Sequence, residues 1–130
     1  KTLSEAGYLV VLSTIGTGED GEAYNINADT AAGEIAGALS AEKLIVLSDV
    51  PGLLRDPADE GSLVATLKMA EAQMMLESGQ IEGGMRPKVE ACVRAVSLGV
   101  PRAHLLDGRL HHSIIMELFT DRGVGTMIER

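Results

Sequence analysis

The chain has 130 residues, of which 45% are hydrophobic and 23% charged, a composition typical of one globular domain. Its net charge of −8 argues against a nucleic-acid backbone as partner, and an aromatic content of 2% leaves few rings on which single-stranded bases could stack. No apolar run reaches membrane-spanning length, and the first residues lack a basic-then-apolar signal pattern, so we expect no membrane partner.

Cys92 is the single cysteine of the sequence. No internal disulfide can therefore form, which fits a reducing, cytoplasmic location. Because Cys92 falls on the apolar stripe of a predicted helix, we interpret it as a packing residue rather than a nucleophile. Residues 1–6 resemble the tail of a helix and do not begin with methionine, so we expect a chain cut from something longer.

The first predicted elements are a strand, a turn, a helix and a second strand. Residues 8–15 form an apolar run rich in valine and leucine, which predicts a buried strand, and residues 16–21 predict a turn. Apolar residues then recur at helical spacing from Ala28 to Leu39, with Asn27 as the N-cap. Residues 43–47 predict another buried strand.

The second half of the sequence continues the succession of predicted strands and helices. Residues 55–62 predict a polar surface loop, residues 67–78 a helix, and Pro87 the first position of a further helix that ends at Gly99. A core strand at 103–106, a helix at 112–119 and a closing strand at 125–128 follow. Since the core strands are apolar throughout, we predict an α/β fold, a three-layer α/β/α sandwich with a mainly parallel sheet.

Residues 25–29 (Asn-Ile-Asn-Ala-Asp) lie at the N-terminus of the first long predicted helix. Asparagine and aspartate favour such positions as caps, and the spacing alone favours capping over function. Two asparagines and an aspartate, however, exceed what one cap needs. The segment is therefore a candidate for binding as well as for capping.

Residues 83–88 (Gly-Gly-Met-Arg-Pro-Lys) stand at the mouth of another predicted helix. They lack the terminal Gly-Lys-Ser/Thr of a P-loop and fit equally a plain turn or a backbone that approaches a nucleotide closely. Asp29 and Lys88 both fall in a first helical turn, where unpaired N–H groups attract anions. An acid and a base directed from two helix N-termini towards one crevice suit phosphate chemistry.

Other motifs give weaker evidence about function. Residues 16–21 match a three-glycine dinucleotide pattern, but no helix opens there and two acidic residues would repel a pyrophosphate, so we predict a hairpin. Residues 48–52 follow a buried strand and could contact a nucleotide or simply turn. His104, His111 and His112 lack the spacing of metal ligands, so we predict no metal-binding side chains.

Taken together, several stretches resemble the C-terminal, ATP-binding half of the N-acetylglutamate kinases, within the amino acid kinase family. The resemblance runs in order along nearly the whole chain, so that 1–130 would be a nucleotide-binding C-terminal domain without the family's N-terminal domain. The stretches that carry it are 24–33, 47–53 and 83–91. The sequence from 81 towards 107–109 and 117–121 adds to it, as does 123–127.

The resemblance implies transfer of the γ-phosphoryl group of ATP, with Mg²⁺, to the side-chain carboxylate of N-acetyl-L-glutamate in arginine biosynthesis. By position, Lys88 would stabilise the phosphoryl group in transfer, Asp29 would organise the catalytic lysines, and Asn25 and Asn27 would contact the acetylated amino acid. The implied nucleotide contacts are Ser48, Asp49, Val50, Pro51, Gly52, Leu53, Leu54, Gln80, Ile81, Glu82, Gly84 and Met85.

The resemblance also implies regulation and assembly. Glu117 and Gly123 match the segment from which arginine-inhibited members build part of their effector site, and we expect a homo-oligomer of the full-length enzyme. Arg86 departs from the family, which usually has a hydrophobic residue there. We expect the isolated chain to bind ATP weakly and not to turn over, because the family's other catalytic lysine lies in the N-terminal half.

Two alternatives stay open. The chain could belong to a related amino acid kinase that acts on acetylaminoadipate, aspartate or carbamate, since the pocket that reads chain length lies mainly in the other half. It could also be a non-catalytic module that binds a nucleotide or an effector.

Overall fold

The computed structural model describes residues 1–120 and 123–130. The helices are α1 (Thr2–Glu5), α2 (Ala28–Leu39), α3 (Met69–Glu77), α4 (Met85–Ser97) and α5 (Ser113–Phe119), with a 3-10 turn at Glu60–Ser62. The strands are β1 (Ile15–Thr17), β2 (Ala23–Asn25), β3 (Lys43–Ser48), β4 (Thr66–Lys68), β5 (Arg102–Asp107) and β6 (Thr126–Glu129).

The main sheet has four strands in the order β3-β5-β6-β4. β3 runs parallel to β5 and β4 runs parallel to β6, whereas β5 and β6 are antiparallel. The paired strands β3 and β5 are in register from Lys43 opposite Arg102 to Ser48 opposite Asp107. Both strands therefore end at the same edge of the sheet, which is where ligands of such folds bind.

Helices cover both faces of this sheet, which confirms the predicted three-layer fold. Successive side chains of a strand point to opposite faces. Ala103 and Leu105 of β5 belong to the main core cluster with Val89, Cys92 and other α4 residues. His104, between them, bonds to Glu117 of α5 instead. The helices α2, α3 and α4 thus form one layer and α5 lies on the opposite side.

The prediction of a buried strand at residues 8–15 was wrong. Among these residues only Ile15 is in a strand, and it belongs to a separate hairpin in which β1 pairs with β2. The apolar run lies on the surface, with Leu9 93% and Val11 87% exposed. Hydrophobicity made the run look like core, but a buried strand also needs neighbouring strands, and no strand among the described residues pairs with 8–14.

The hairpin prediction for residues 16–21 was confirmed. Gly21 adopts a φ of +83°, a conformation that glycine reaches without strain, and the backbone N–H of Gly18 donates to the Glu22 carbonyl oxygen at 2.9 Å. The side chain of Asp20 accepts hydrogen bonds from the Glu22 N–H and the Tyr24 hydroxyl. Gly18 and Gly21 therefore form the turn, and Gly16 lies in β1 opposite Tyr24.

Several element boundaries differ from the prediction by one or two residues. Residues 66–68 form β4 rather than the start of a helix, because Leu67 pairs with Ile128 of β6 and this tertiary pairing overrides helical propensity. The helix α4 begins at Met85, so that Pro87 is its third residue, still within the first turn where its missing N–H costs no hydrogen bond. The helix α5 begins at Ser113, with His112 as its N-cap.

Candidate functional site

Asp29 and Lys88, which lie 59 positions apart in sequence, meet in space. The Lys88 Nζ donates to the Asp29 Oδ2 at 3.1 Å and to its Oδ1 at 3.3 Å. The two side chains are only 23% and 18% exposed, so water competes weakly for either group. The structure therefore brings together the acid and the base that the sequence placed at two helix mouths.

The pair forms because α2 and α4 run side by side in the same direction and approach each other closely. Asp29 lies beside Lys88, and four residues further along α2, Gly33 lies against the backbone of Ala91. A Cβ atom at Gly33 would be 2.7 Å from the Ala91 carbonyl oxygen, which is too short for any contact. Glycine at this position thus sets the spacing that lets the two side chains bond.

Both charged groups lie near helix N-termini, which stabilise the negative charge of one and destabilise the positive charge of the other. Asp29 lies in the first turn of α2, where the unpaired N–H groups favour a negative charge. Lys88 is the fourth residue of α4, where the same partial positive charge disfavours an ammonium group. Asp29 offsets that cost, so the ion pair holds a cation at the positive end of a helix. Such an arrangement attracts an anion with several negative charges.

Beneath the pair, Cys92 is fully buried, as expected for a packing residue. Burial raises the pKa of its thiol to about 12, and the negative charge of Asp29 adds to the effect. Because the thiolate is the reactive form, Cys92 is inert at neutral pH in the folded protein.

A cavity of about 370 Å³ opens beside Lys88 at the carboxyl end of β3. It lies between the segment that follows β3 and the loop that precedes α4. Eleven of the twelve residues predicted as nucleotide contacts line it together with Lys88, and Pro57 joins them. The lining residues are Ser48, Asp49, Val50, Gly52, Leu53, Leu54, Pro57, Gln80, Ile81, Glu82, Gly84, Met85 and Lys88.

Two members of this set differ from the prediction. Pro51 lies in the same turn as Gly52 but does not line the cavity. Pro57 was assigned to a polar surface loop, yet it contributes to the wall. An exposed proline in a polar stretch carries no local signal of this role, because only the return of the loop over the cavity brings it there.

One wall of the cavity is tied to the sheet through Thr126 of β6. Its Oγ1 accepts a buried hydrogen bond from the Leu53 N–H at 2.9 Å. A Cβ atom at Gly52 would lie 2.7 Å from the same oxygen, so the turn approaches the sheet only because this residue is glycine. The Leu53 carbonyl oxygen in turn accepts from the Val64 N–H at 2.9 Å. The sequence placed Thr126 in the closing strand and in a stretch of family resemblance, but it gave no sign of this hydrogen bond.

The opposite wall is the loop between α3 and α4. The N–H groups of Gln80 and Ile81 donate to the Met75 carbonyl oxygen at 3.0 and 3.3 Å, and Ile81 is buried in the core. Gly79 and Gly83 adopt positive φ values of 76° and 57°, which favour glycine. The loop is therefore anchored at its centre by Ile81 and turns sharply on either side.

The two asparagines lie outside the lining of this cavity. Asn27 caps α2, and its Oδ1 accepts from the Thr30 N–H at 3.0 Å, so the capping interpretation is confirmed. Asn25 ends β2 opposite Ile15 and is exposed. Both residues lie within a few positions of Asp29, on the approach to the ion pair rather than in the cavity.

The residues predicted for an effector site lie on the other face of the sheet. The Glu117 side chain is 5% exposed; its Oε1 lies 2.7 Å from the His104 Nδ1 and its Oε2 accepts from the Val124 N–H at 2.7 Å. A Cβ atom at Gly123 would lie 2.7 Å from the Glu117 Oε2, so these two residues do adjoin. Asp121, which belongs to the same stretch, lies outside the described residues.

His104 is buried in β5, as its predicted packing role requires. Sequence spacing gave no hint of its pairing with Glu117, because the two residues lie in different elements. Within the described part of the chain, no three His, Cys, Asp or Glu side chains lie together as a metal site. None of the described helices is both long and apolar enough to span a membrane.

The family model of the amino acid kinase family matches residues 1–107. An acetylglutamate kinase of Clostridioides difficile is 56% identical over 97% of this chain, and one of Heliobacterium modesticaldum is 52% identical over 98%. The matched regions are 44% and 43% of those proteins, so the chain spans less than half the length of these curated relatives.

Solved structures with the same fold extend the comparison. An N-acetylglutamate synthase of Neisseria gonorrhoeae, complexed with coenzyme A and L-arginine, is 33% identical with a TM-score of 0.89, over 98% of this chain and 29% of that protein. A carbamate kinase of Giardia is 19% identical with a TM-score of 0.68, over 87% of this chain and 38% of that one, a likeness of fold alone.

Proposed function

Since the chain belongs to the amino acid kinase family, we propose that it forms the nucleotide-binding part of an acetylglutamate kinase. The enzyme would transfer the γ-phosphoryl group of ATP to the side-chain carboxylate of N-acetyl-L-glutamate. The observation that carries this proposal is the Lys88–Asp29 pair beside a cavity lined by glycine-rich loops. Relatives named acetylglutamate kinase that match nearly the whole chain support the choice of reaction.

The reaction needs positive charge and alignment more than it needs a base. A carboxylate with a pKa near 4 is already ionised at neutral pH, so no group has to remove a proton from it. One carboxylate oxygen attacks the γ-phosphorus, the bond to the β,γ-bridging oxygen breaks, and ADP and an acyl phosphate result. Because nucleophile and phosphate are both anionic, the barrier lies in bringing them together.

Lys88 is suited to that task. Its ammonium group would neutralise charge on the phosphoryl group in transfer, with the N-terminus of α4 adding partial positive charge. Asp29 holds the ammonium in place through two hydrogen bonds and would not act as a base. Without this partner, the lysine side chain would sample several rotamers. A charge that is held in one orientation lowers such a barrier more effectively.

The cavity would take the rest of the nucleotide. Apolar side chains such as Val50, Leu53 and Met85 offer surface to a base, while Gly84 lets the backbone approach closely. Mg²⁺ would enter with the triphosphate, since this ion keeps phosphate oxygens and water as most of its ligands. Asp49 and Glu82 are the carboxylates of the lining that could support it.

The remaining assignments follow the family pattern. Asn25 and Asn27, near Asp29, would contact the acetylated amino acid. Glu117 and Gly123 would contribute to a site for arginine as inhibitor, and the full-length enzyme would be a homo-oligomer. Titration of the encoded enzyme with arginine tests the regulatory part, and unchanged activity at saturating arginine would remove it.

A second candidate is a non-catalytic module that binds a nucleotide or an effector. The observation that favours it is the likeness to the Neisseria gonorrhoeae synthase, a protein with another activity whose structure was solved with L-arginine. A module of that kind would keep the fold and show no phosphoryl transfer.

Product trapping distinguishes these possibilities. The encoded enzyme, given ATP and Mg²⁺, is offered N-acetyl-L-glutamate, N-acetylaminoadipate, aspartate or carbamate, and any acyl phosphate is trapped with hydroxylamine. We expect trapped product with N-acetyl-L-glutamate well above the other acceptors, and none from the 130-residue chain alone. Product with another acceptor would reassign the substrate, and no product from any acceptor would favour the binding module.

A further inference from the structure

Arg86 connects the ends of the two helices that flank one wall of the cavity. It is the second residue of α4, and its Nη1 donates to the Leu76 carbonyl oxygen in the last turn of α3 at 3.2 Å. Its Nε lies 2.8 Å from the Glu90 Oε1, one turn further along α4. The planar guanidinium group is thus held on two sides.

The segment closed by this contact is the loop from Ser78 to Gly84. Gln80, Ile81, Glu82 and Gly84 of this loop line the cavity, whereas Arg86 itself does not. The loop is held at its centre by buried Ile81 and by the bonds of the Gln80 and Ile81 N–H groups to the Met75 carbonyl oxygen, and it turns at Gly79 and Gly83, since glycine can adopt many backbone conformations. A contact between residues 76 and 86 therefore limits the conformations open to this wall.

The chemistry of the contact suits a strap between helices. The last carbonyl groups of a helix carry partial negative charge and lack partners within the helix, so a cation at this end is stabilising. Among the described residues, the Leu76 carbonyl oxygen otherwise accepts a single long hydrogen bond, of 3.4 Å, from the Gly79 N–H. The hydrophobic residue expected here by family resemblance could not make this bond.

We propose that Arg86 is a positioning residue that holds the loop between α3 and α4 in the conformation that receives the nucleotide. The inference rests on the proposed nucleotide site, but it concerns the order of the loop and not the transfer step.

The test combines amide hydrogen exchange with ATP titration on the chain and its variants. Arg86→Met removes the strap while keeping an unbranched side chain, and Arg86→Lys keeps the charge without the fork. Arg94→Met is the matched control, since Arg94 is an exposed arginine of the same helix that pairs with Glu34 and not with the loop.

We expect the Gln80 and Ile81 amides to exchange faster in Arg86→Met, and ATP to bind about three- to tenfold more weakly, as the competent fraction of the loop falls. Arg86→Lys should be intermediate and Arg94→Met unchanged in both measurements. Amides in β5 should keep their protection in every variant, which separates a local loosening from general destabilisation.

Unchanged exchange of the loop amides in Arg86→Met would overturn the inference. The inference would also be overturned if the loop amides of Arg86→Met exchanged faster while the variant bound ATP as tightly as the unaltered chain. The order of the loop would then have no effect on binding. If the unaltered chain binds no ATP at all, the proposed function fails, and loop exchange alone decides whether Arg86 is a strap.

Discussion

Replacement of Gly33 by alanine tests the close approach of α2 and α4 on which the ion pair depends. The new Cβ atom would lie 2.7 Å from the Ala91 carbonyl oxygen and 3.2 Å from the Ala91 Cα, whereas ordinary van der Waals contact begins at 3.4 Å. The helices must therefore separate by roughly 0.7 Å, since a backbone carbonyl inside a helix cannot rotate away. Such a shift would weaken the hydrogen bonds between Lys88 and Asp29.

The expected magnitude follows from two opposing contributions. Alanine in place of glycine inside a helix stabilises by about 1 kcal/mol when the site is open. Overpacking of a filled contact costs about 1–3 kcal/mol, and the rigid backbone neighbour places Gly33 in the upper part of that range. We therefore expect the free energy of unfolding to fall by about 1–2 kcal/mol.

Urea unfolding followed by circular dichroism measures this change, and ATP titration measures its effect on the site. Gly37→Ala is the matched control, because its new methyl group would lie 2.6 Å from the Leu98 Cβ, a similar clash placed just beyond the far end of α4 and away from the ion pair. That variant should keep its ATP affinity even if it loses stability, whereas Gly33→Ala should lose both. A Gly33→Ala protein more stable than the parent would refute the close-packing argument.

Three further predictions concern the cavity wall, the buried thiol and the response to acid. Thr126→Val removes the acceptor of the buried Leu53 N–H and should cost about 1–3 kcal/mol in urea unfolding, whereas Thr126→Ser should cost less. Cys92 should resist iodoacetamide at pH 8 in the folded chain and react once urea unfolds it, as mass spectrometry would detect. Neighbouring cations lower the pKa of three carboxyl groups in the folded state. Their contribution to stability is therefore complete above the unfolded pKa values near 4 and is lost as pH falls through the lower folded values. The urea midpoint should accordingly stay level from pH 7 to about 5 and drop below about 4, by a small amount because the cation of each pair is more than half exposed. The groups are Glu34 beside Arg94, Asp107 beside Arg109, and Glu129 beside Lys68.

Local sequence patterns predicted the elements that are stabilised by their own residues or by an environment that is apolar on every side. The helical stripe of α2 and its Asn27 cap are local signals, and β5 is buried on both faces as its apolar run predicted. The equally apolar β3 is an edge strand, with Leu44 and Val46 buried on one face and Leu47 49% exposed on the other. Residues 8–14 carry the same apolar signal but lie exposed. Whether such a run becomes a strand depends on neighbours that its own sequence does not encode.

The residues of the candidate site differ in the same way: local sequence predicted some of them and not others. Asp29 and Lys88 were predictable because helix N-termini attract phosphate chemistry and because the surrounding stretches resemble a known family. Pro57 and Thr126 were not, since their roles arise from a returning loop and a single buried hydrogen bond. The spacing of α2 and α4 at Gly33 was equally hidden, because a helical glycine reveals its purpose only when the neighbouring backbone is known.

The most direct test of the Lys88 role is the turnover of the encoded enzyme with Lys88→Ala, compared with Lys68→Ala. Lys68 pairs with Glu129 away from the cavity, so its loss controls for the removal of a positive charge. Loss of an oriented charge stabiliser costs about 3 kcal/mol in the transition state, which predicts a fall in kcat of more than about 100-fold for Lys88→Ala and little change for Lys68→Ala. Equal turnover of the Lys88→Ala enzyme and its parent would contradict the assignment of the Asp29–Lys88 pair to phosphoryl transfer.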